Sequence, residues 1–180
     1  GRNIQIYPLE LDTITLPDGK QLEWIYLDIP SSVLVVTLTA DRQIVLEKLY
    51  RYNLKQHVYE NPAGAVEEDE KDMPGAARRE LLEETGYVPG RLVDLGKFYV
   101  LPGDTNRWVN IFLSLDSRKV EEPKLDHVIE QYFDISVHLF NFEEIADQLK
   151  SRSSPIVGLE HAYAITLAHD FISQNVSSVL

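Results

Sequence analysis

The stretch Arg79-Glu80-Leu81-Leu82-Glu83-Glu84-Thr85-Gly86-Tyr87 decides how this chain is interpreted. On α-helical geometry Glu80, Glu83 and Glu84 lie at i, i+3 and i+4, so their carboxylates project from one face. Like charges at this spacing destabilise a helix, the last helical turn disfavours anions, and only Arg79 offers a favourable local partner. A solvated acidic helix face is the ordinary alternative, but a bound hard cation would offset all of these unfavourable terms. The stretch therefore predicts a divalent cation site.

The ends of this helix are also readable from the sequence. Asp72 is a suitable cap, Pro74 falls in the first turn, Gly86 can stop the helix and Pro89 follows just beyond. The face opposite the carboxylates is expected to pack on a sheet, and it carries Ala77, Leu81 and, nearby, Leu82.

Composition limits the class of protein. The chain has 180 residues, 44% of them hydrophobic, which suits a single domain over 1–180 with its own core. A formal net charge of −12 argues against nucleic-acid or anionic membrane partners, since both depend on basic surface. With no cysteine, disulfides, thiolate metal sites and a cysteine nucleophile are excluded. No apolar run reaches the length of a membrane span, so we expect a cytoplasmic protein.

The pattern of apolar residues predicts an α/β fold. Alternating segments predict strands over 11–16, 21–27, 33–39, 43–49, 57–60, 91–100, 108–115 and 135–140. Further helices are predicted over 141–150 and 158–174, the latter offering Leu159, Ala162, Ile165, Leu167 and Phe171 to the core. The polar stretch 116–126 is predicted to be a loop. This order favours an α/β/α sandwich around a mixed sheet, preceded by N-terminal antiparallel strands, of which about residues 1–30 are candidates for dimerisation.

Residues 64–87 resemble the Nudix box, G-x5-E-x7-R-E-U-x-E-E-x-G-U, where U is a bulky aliphatic residue. Its fixed positions are filled by Gly64, Glu70, Arg79, Glu80, Leu81, Glu83, Glu84 and Gly86, with Tyr87 in the last position. Eight residues rather than seven separate Glu70 from Arg79, so Glu68, Asp69 or Glu70 could take the first acidic position.

The resemblance implies the Nudix fold and a metal-dependent attack of water on a pyrophosphate. By carry-over, the backbone carbonyl near Ala63 and the carboxylates of Glu80 and Glu84, with Glu83 alongside, would hold Mg²⁺ or Mn²⁺. Such ions would clamp the pyrophosphate and neutralise the charge that develops on the leaving oxygen.

Segments outside the box resemble the ADP-ribose pyrophosphatase subgroup. Leu49-Tyr50-Arg51-Tyr52 and Tyr59-Glu60-Asn61-Pro62-Ala63-Gly64 are similar to its Gln-Tyr-Arg and Glu-Leu-Pro-Ala-Gly segments, with Leu49 and Asn61 as departures. Arg51 would face a phosphate, for which its planar fork is well suited, with Glu60 also in the substrate site. An ordinary surface arginine is the alternative.

A second flank points to the same substrate. Pro102 lies sixteen residues after Gly86, where the subgroup carries its marker proline, although a Pro-Gly pair is also a routine turn. Gly103 and Asp104 could contact ribose hydroxyls. Together the flanks favour ADP-ribose or a related nucleoside diphosphate sugar.

Aromatic residues supply candidates for stacking on an adenine ring. They are Trp24, Tyr26, Tyr52 and Trp108, of which Trp108 is the one expected in the core. In the subgroup the N-terminal strands cross into a partner subunit and supply such residues, so the resemblance implies a homodimer with Trp24 in the substrate site.

The catalytic base is expected on a loop, because the subgroup places a glutamate there. Glu130 is the matching residue, with Asp126, Glu83 and Glu84 as alternatives; His127 is better interpreted as an exposed loop histidine. The remaining histidines show no metal-binding spacing and are expected to be structural: His57, His138, His161 and His169.

The leading hypothesis is an Mg²⁺-dependent ADP-ribose pyrophosphatase that forms AMP and ribose 5-phosphate. The first alternative keeps the chemistry but takes GDP-mannose, NADH, a dinucleoside polyphosphate or CoA. The second is a non-catalytic nucleotide-sensing Nudix domain, a class that typically loses the box carboxylates retained here.

Overall fold

A computed structural model describes residues 7–67, 69–124 and 135–175. It contains ten strands: β1 (Leu9–Thr15), β2 (Gln21–Leu27), β3 (Ser32–Thr39), β4 (Gln43–Arg51), β5 (Gln56–Glu60), β6 (Ala63–Ala65), β7 (Tyr87–Val88), β8 (Arg91–Tyr99), β9 (Trp108–Lys119) and β10 (Ser136–Asn141). Three helices accompany them within these ranges: α1 (Met73–Thr85), α2 (Phe142–Ser151) and α3 (Leu159–Gln174). None of these helices combines the length and apolar character that a bilayer-spanning segment needs.

Eight of the strands form one mixed sheet. Its main path runs β10-β4-β3-β9-β7, with β5 beside β4, β6 beside β3 and β8 beside β9. The central strands β3 and β9 are parallel, and the other pairings are antiparallel. Because β3 is covered on both faces, its side chains from Ser32 to Leu38 are all buried, as expected for a central strand.

The helices cover the two faces of this sheet. On one face Ala76, Ala77 and Leu81 of α1 pack against apolar residues of β3, β4 and β9. On the other face α2 and α3 pack against the opposite side chains of the same strands. The predicted α/β/α sandwich around a mixed sheet is therefore confirmed.

The caps predicted for α1 are confirmed. The Asp72 side chain accepts a hydrogen bond from the backbone N–H of Gly75 at 3.0 Å. Gly86 adopts a left-handed conformation with φ of 76°, and its N–H donates to the carbonyl of Leu82 at 2.8 Å. These two caps fix the length of the helix and thus the direction in which its acidic face points.

Two expectations were wrong. The predicted loop 116–126 begins as strand, because β9 continues to Lys119: Asp116 takes a positive φ of 52°, and beyond it Ser117 pairs with Thr39 of β3. Backbone pairing does not require apolar side chains, so the polar sequence was misleading. Leu159 does not enter the core; it begins α3 and is 85% exposed.

Strands β1 and β2 form a separate two-stranded hairpin with apolar residues on both faces. Opposed pairs on one face are Leu9 with Leu27 and Leu11 with Ile25, and on the other Ile14 with Leu22 and Asp12 with Trp24. Most of these apolar side chains are exposed. The hairpin is joined to the turn after β8, where the N–H of Leu27 donates to the carbonyl of Asp104 at 2.8 Å.

Candidate active site

The acidic face of α1 lies against the short strand β6. A Cβ added at Gly64 would overlap the carboxylate of Glu80, so the absence of a side chain at that position lets the carboxylate reach the backbone. Glu80 is almost buried, and burial raises the pKa of its carboxyl group because the charged form loses solvation.

Glu84 reaches the same strand from the next turn of the helix. One of its carboxylate oxygens, Oε2, accepts a hydrogen bond from the backbone N–H of Ala63 at 2.8 Å. The carboxylates of Glu80 and Glu84 therefore share one face of α1, as their spacing predicted, and both meet the backbone of Ala63 and Gly64.

Arg79 forms ion pairs with three glutamates around this face. Its Nη1 lies 2.7 Å from Glu80 and 3.4 Å from Glu83, and its Nη2 lies 3.4 Å from Glu70. Three acidic residues were candidates for the first acidic position of the box. Of these, Glu70 lies beside Arg79 and Asp69 is exposed. Glu68 lies outside the described residues. Glu83 is more exposed than Glu80, with side-chain exposures of 43% and 11%.

The donor set suits a hard divalent cation. Within the described ranges, no group of three acidic or histidine side chains is already arranged as a metal site. The oxygens available are instead two carboxylates and the adjoining carbonyl of a backbone segment, a mixture typical of sites for Mg²⁺ and Mn²⁺. A cation there would also offset the cost of burying the charged carboxylate of Glu80.

Arg51, at the end of β4, pairs with Glu60 at the end of β5. The guanidinium binds the carboxylate with both Nε and Nη2, and the Nε to Oε1 distance is 2.9 Å. The hydrogen bond to Glu60 raises the pKa of Arg51, and the charge of Glu84 adds to this effect. Burial is the largest single influence on Glu60 and acts to raise its pKa, but the hydrogen bond from Arg51 and the electrostatic influence of His161 and Arg51 together outweigh it, so the pKa is lowered. Both groups are therefore charged at neutral pH, and Arg51 lies within electrostatic reach of the Glu84 carboxylate of α1.

A cleft of about 700 Å³ opens beside this ion pair. One wall comes from the end of β8 and the residues after it, including Phe98 and Leu101, and another from the start of α3, including Leu159 and Tyr163. Apolar walls with a charged pair at one end are typical of a small-molecule site.

Sequence reasoning missed the contribution of α3 to this cleft. His161, for which the sequence predicts a structural role, is buried and lies against Glu60, with its Nε2 3.5 Å from Oε2 of Glu60. Leu159 was assigned to the core, although it lines the cleft. The only sequence signal was the departure at Asn61, whose backbone N–H and side chain both donate hydrogen bonds to His161.

Other predicted site residues lie at the edge of the cleft or away from it. Pro102, Gly103 and Asp104 form the exposed turn that follows Leu101, and Trp24 lies in the exposed hairpin. Trp108 is half-buried, with the ammonium of Lys97 3.9 Å above its ring. Glu130, Asp126 and His127 fall outside the described residues.

The chain is similar to known proteins in family, in sequence and in fold. A family model for the NUDIX domain matches residues 28–157. The chain is 29% identical over 153 residues to a protein named ADP-ribose pyrophosphatase from Bacillus subtilis (strain 168), covering 82% of this chain and 80% of the relative. It is also 31% identical over 117 residues to a protein named methanol dehydrogenase activator from Bacillus methanolicus, covering 65% of this chain and 63% of that relative.

A solved structure described as an ADP compounds hydrolase superposes on the whole chain with a TM-score of 0.74 and 16% identity, which shows a shared fold. The family match extends over most of the chain and includes both the acidic helix and Arg51. The chain therefore belongs to the Nudix family and is a Nudix hydrolase.

Proposed function

We propose that this protein hydrolyses the pyrophosphate bond of ADP-ribose or a related nucleoside diphosphate sugar in an Mg²⁺-dependent reaction, with AMP and ribose 5-phosphate as the products from ADP-ribose. The observation that carries the proposal is the position of Arg51, which lines a largely apolar cleft and lies within electrostatic reach of Glu84. A substrate with an organic group in the cleft would have its phosphates beside both Arg51 and the carboxylates. The similarity to the B. subtilis ADP-ribose pyrophosphatase supports the same substrate class.

Glu80, Glu84 and the carbonyl of Ala63 would hold Mg²⁺, or Mn²⁺ in its place, with Glu83 alongside. When bound, the cation would neutralise charge on the pyrophosphate and on the leaving phosphate. The chain's own residues supply the rest: Arg51 binds a phosphate through its fork, and Glu60 fixes the direction of that fork.

A general base must remove a proton from the attacking water. We assign this role to Glu130, with Asp126, Glu83 and Glu84 as the alternatives. Of these, Glu83 is half exposed and paired with Arg79, whereas Glu84 accepts a hydrogen bond from Ala63. The two helix glutamates are therefore already engaged, which supports a base from another segment.

The turn of Pro102, Gly103 and Asp104 would contact the ribose. It follows directly from the wall of the cleft at Leu101. Trp24 would stack on the adenine. Because Trp24 lies in the exposed hairpin, it would contact the adenine that is bound to the partner subunit.

We propose a cytoplasmic homodimer of single-domain subunits, each with a Nudix core and a hairpin that makes the dimer contact. A two-stranded hairpin is marginally stable alone, and large exposed apolar patches usually mark an interface. The apolar residues on both faces of β1 and β2 support this arrangement. In analytical ultracentrifugation, wild type should sediment as a dimer and Ile25→Glu as a folded monomer; a monomeric wild type would refute it.

The substrate assignment is tested with a panel of ADP-ribose, GDP-mannose, NADH, a dinucleoside polyphosphate and CoA, with products separated by chromatography. Mg²⁺-dependent release of AMP from ADP-ribose, with the highest kcat/KM of the panel, is expected. Faster hydrolysis of another compound would support the proposed pyrophosphate hydrolysis but refute ADP-ribose as the preferred substrate. If none of the compounds is hydrolysed, a nucleotide-sensing role is favoured. The relative named as an activator is the reason to consider this outcome.

A further inference from the structure

Residues 60–63 connect the Arg51–Glu60 pair with the carboxylates of α1, and these four residues are held by four different elements. Glu60 binds Arg51 of β4, the carbonyl of Pro62 accepts from Val35 of β3, and the N–H of Ala63 donates to Glu84 of α1. Asn61 is held by α3, from a residue one hundred positions later in the chain.

Two hydrogen bonds join Asn61 to His161. The N–H of Asn61 donates to Nδ1 of His161 at 3.1 Å, and the side-chain amide of Asn61 donates to the carbonyl of His161 at 3.3 Å. Asn61 is 1% exposed and His161 6%, so both groups are shielded from bulk water. An aliphatic side chain at position 61 could not form the second bond.

These contacts determine which ring nitrogen of His161 carries a proton. Because Nδ1 accepts a hydrogen bond, a neutral imidazole must carry its proton on Nε2. Nε2 is the nitrogen that lies 3.5 Å from Oε2 of Glu60. The N–H dipole of His161 is thus close to the carboxylate that binds Arg51.

The fold makes room for this ring. A Cβ added at Gly158, the residue before α3, would lie 2.8 Å from Cδ2 of His161, closer than such atoms approach one another. Gly158 therefore allows the imidazole to lie over the start of its own helix, facing β5 rather than solvent.

We propose that His161 is a positioning residue for substrate binding: its Nε2 holds Glu60 in place, so that the fork of Arg51 keeps the direction needed to bind a phosphate, while the contact between its Nδ1 and Asn61 sets the tautomer of the ring. This inference rests on the proposed function, because it requires that Arg51 binds the substrate. His161 touches Arg51 only through Glu60, and its loss should therefore weaken binding much more than it slows the chemical step.

Two substitutions separate the two ring nitrogens. In His161→Gln the side-chain amide nitrogen replaces Nε2 and can still donate toward Glu60, whereas in His161→Asn the side-chain oxygen replaces Nδ1 and can still accept from Asn61. His169→Gln is the matched control, since His169 is on the same helix and its Nε2 lies 3.3 Å from Glu143, away from the cleft.

The experiment measures KM and kcat for Mg²⁺-dependent hydrolysis, and the Kd for ADP-ribose by calorimetry in EDTA. His161→Asn should raise KM and Kd about tenfold and change kcat less than about twofold, the size expected for one lost polar contact. His161→Gln should stay within about threefold of wild type in both constants, and His169→Gln should match wild type. Thermal melts check that each variant is folded.

Unchanged KM and Kd in His161→Asn would overturn the inference while leaving the proposed function intact. So would a fall in kcat at constant KM, or an equal loss in His161→Asn and His161→Gln, since either result would indicate a merely structural histidine. A wild type that neither binds nor hydrolyses ADP-ribose would overturn the proposed function and this inference with it.

Discussion

The two halves of the site are built in different ways. In the metal-binding half, Glu80 and Glu84 come from one helix, and their backbone partners Ala63 and Gly64 lie about twenty residues earlier. In the cleft half, Arg51, Glu60 and His161 come from three elements, and the last of them is one hundred residues away from Asn61, the residue it binds. The first half depends on helix geometry and caps, whereas the second depends on how α3 packs on the sheet. Substitutions should therefore affect different kinetic constants in the two halves.

The largest effect is expected from Glu84→Gln. This change keeps the shape of the side chain but removes a charged oxygen ligand, so we expect kcat to fall on the order of 100-fold or more, with the fold unchanged. Steady-state kinetics across an Mg²⁺ titration measures the change. Glu122→Gln, at an exposed surface glutamate, is the control. Undiminished turnover in Glu84→Gln would refute the metal role.

A slightly smaller effect is expected from Gly64→Ala, because the added methyl group would displace the carboxylate of Glu80 rather than remove it. We expect kcat to fall about tenfold to 100-fold, with a raised requirement for Mg²⁺. Gly75→Ala is a matched control, in which the methyl group meets the capping carboxylate of Asp72 instead. That control should lose stability, measured by thermal denaturation, and retain activity. Equal activity losses in both variants would show that the proximity of Gly64 to Glu80 is unimportant.

In the cleft half, Arg51→Lys should raise KM about tenfold and leave kcat nearly unchanged. Lysine keeps the charge but cannot form the two-pronged contact with Glu60 or a phosphate. Arg42→Lys, which alters a comparable pair with Glu143 on another part of the surface, is the control. A fall in kcat larger than the rise in KM would place Arg51 in the chemical step and remove the contrast between the halves.

The smallest expected effect is on stability as a function of pH. Burial lowers the pKa of His161, so at acidic pH the unfolded chain binds a proton that the folded protein resists. The contribution of neutral His161 to the free energy of unfolding is therefore fully present above about pH 6.5. As the pH drops below that value, the contribution decreases by at most about 1.4 kcal/mol per pH unit. Urea denaturation of wild type and His161→Asn checks this between about pH 5.5 and about pH 7.5, roughly one pH unit on either side of the ordinary pKa of histidine. The variant should show the shallower dependence, and parallel curves would contradict the prediction.

The metal-binding half was predictable because its information is local. Asp72, Pro74 and Gly86 define the helix, and the i, i+3, i+4 spacing places the carboxylates on one face without reference to the rest of the chain. The strands with alternating patterns were predictable as well, and so was the division of the helices between the two faces of the sheet. Even the added residue in the box is accommodated in the segment before α1, where Glu70 still reaches Arg79.

The cleft half was predicted only in part, because its partners are distant in the sequence. Arg51 and Glu60 were identified by resemblance, but nothing in the pattern of α3 shows that Leu159 faces the cleft or that His161 faces Glu60. Both residues lie at the start of the helix, where periodicity cannot distinguish a core face from a cleft wall. Likewise the continuation of β9 through Asp116 depends on pairing with β3 and β7, which a polar sequence does not reveal.

The parallel pairing of β3 with β9 has a consequence for biosynthesis. Val33 lies opposite Asn110, so the centre of the sheet cannot close until Asn110 has left the ribosome, and non-local pairings of this kind fold slowly. Helix α3, with His161, is made later still. The nascent chain therefore carries its complete acidic helix well before it has a cleft, and enzymatic activity reports that α3 has docked.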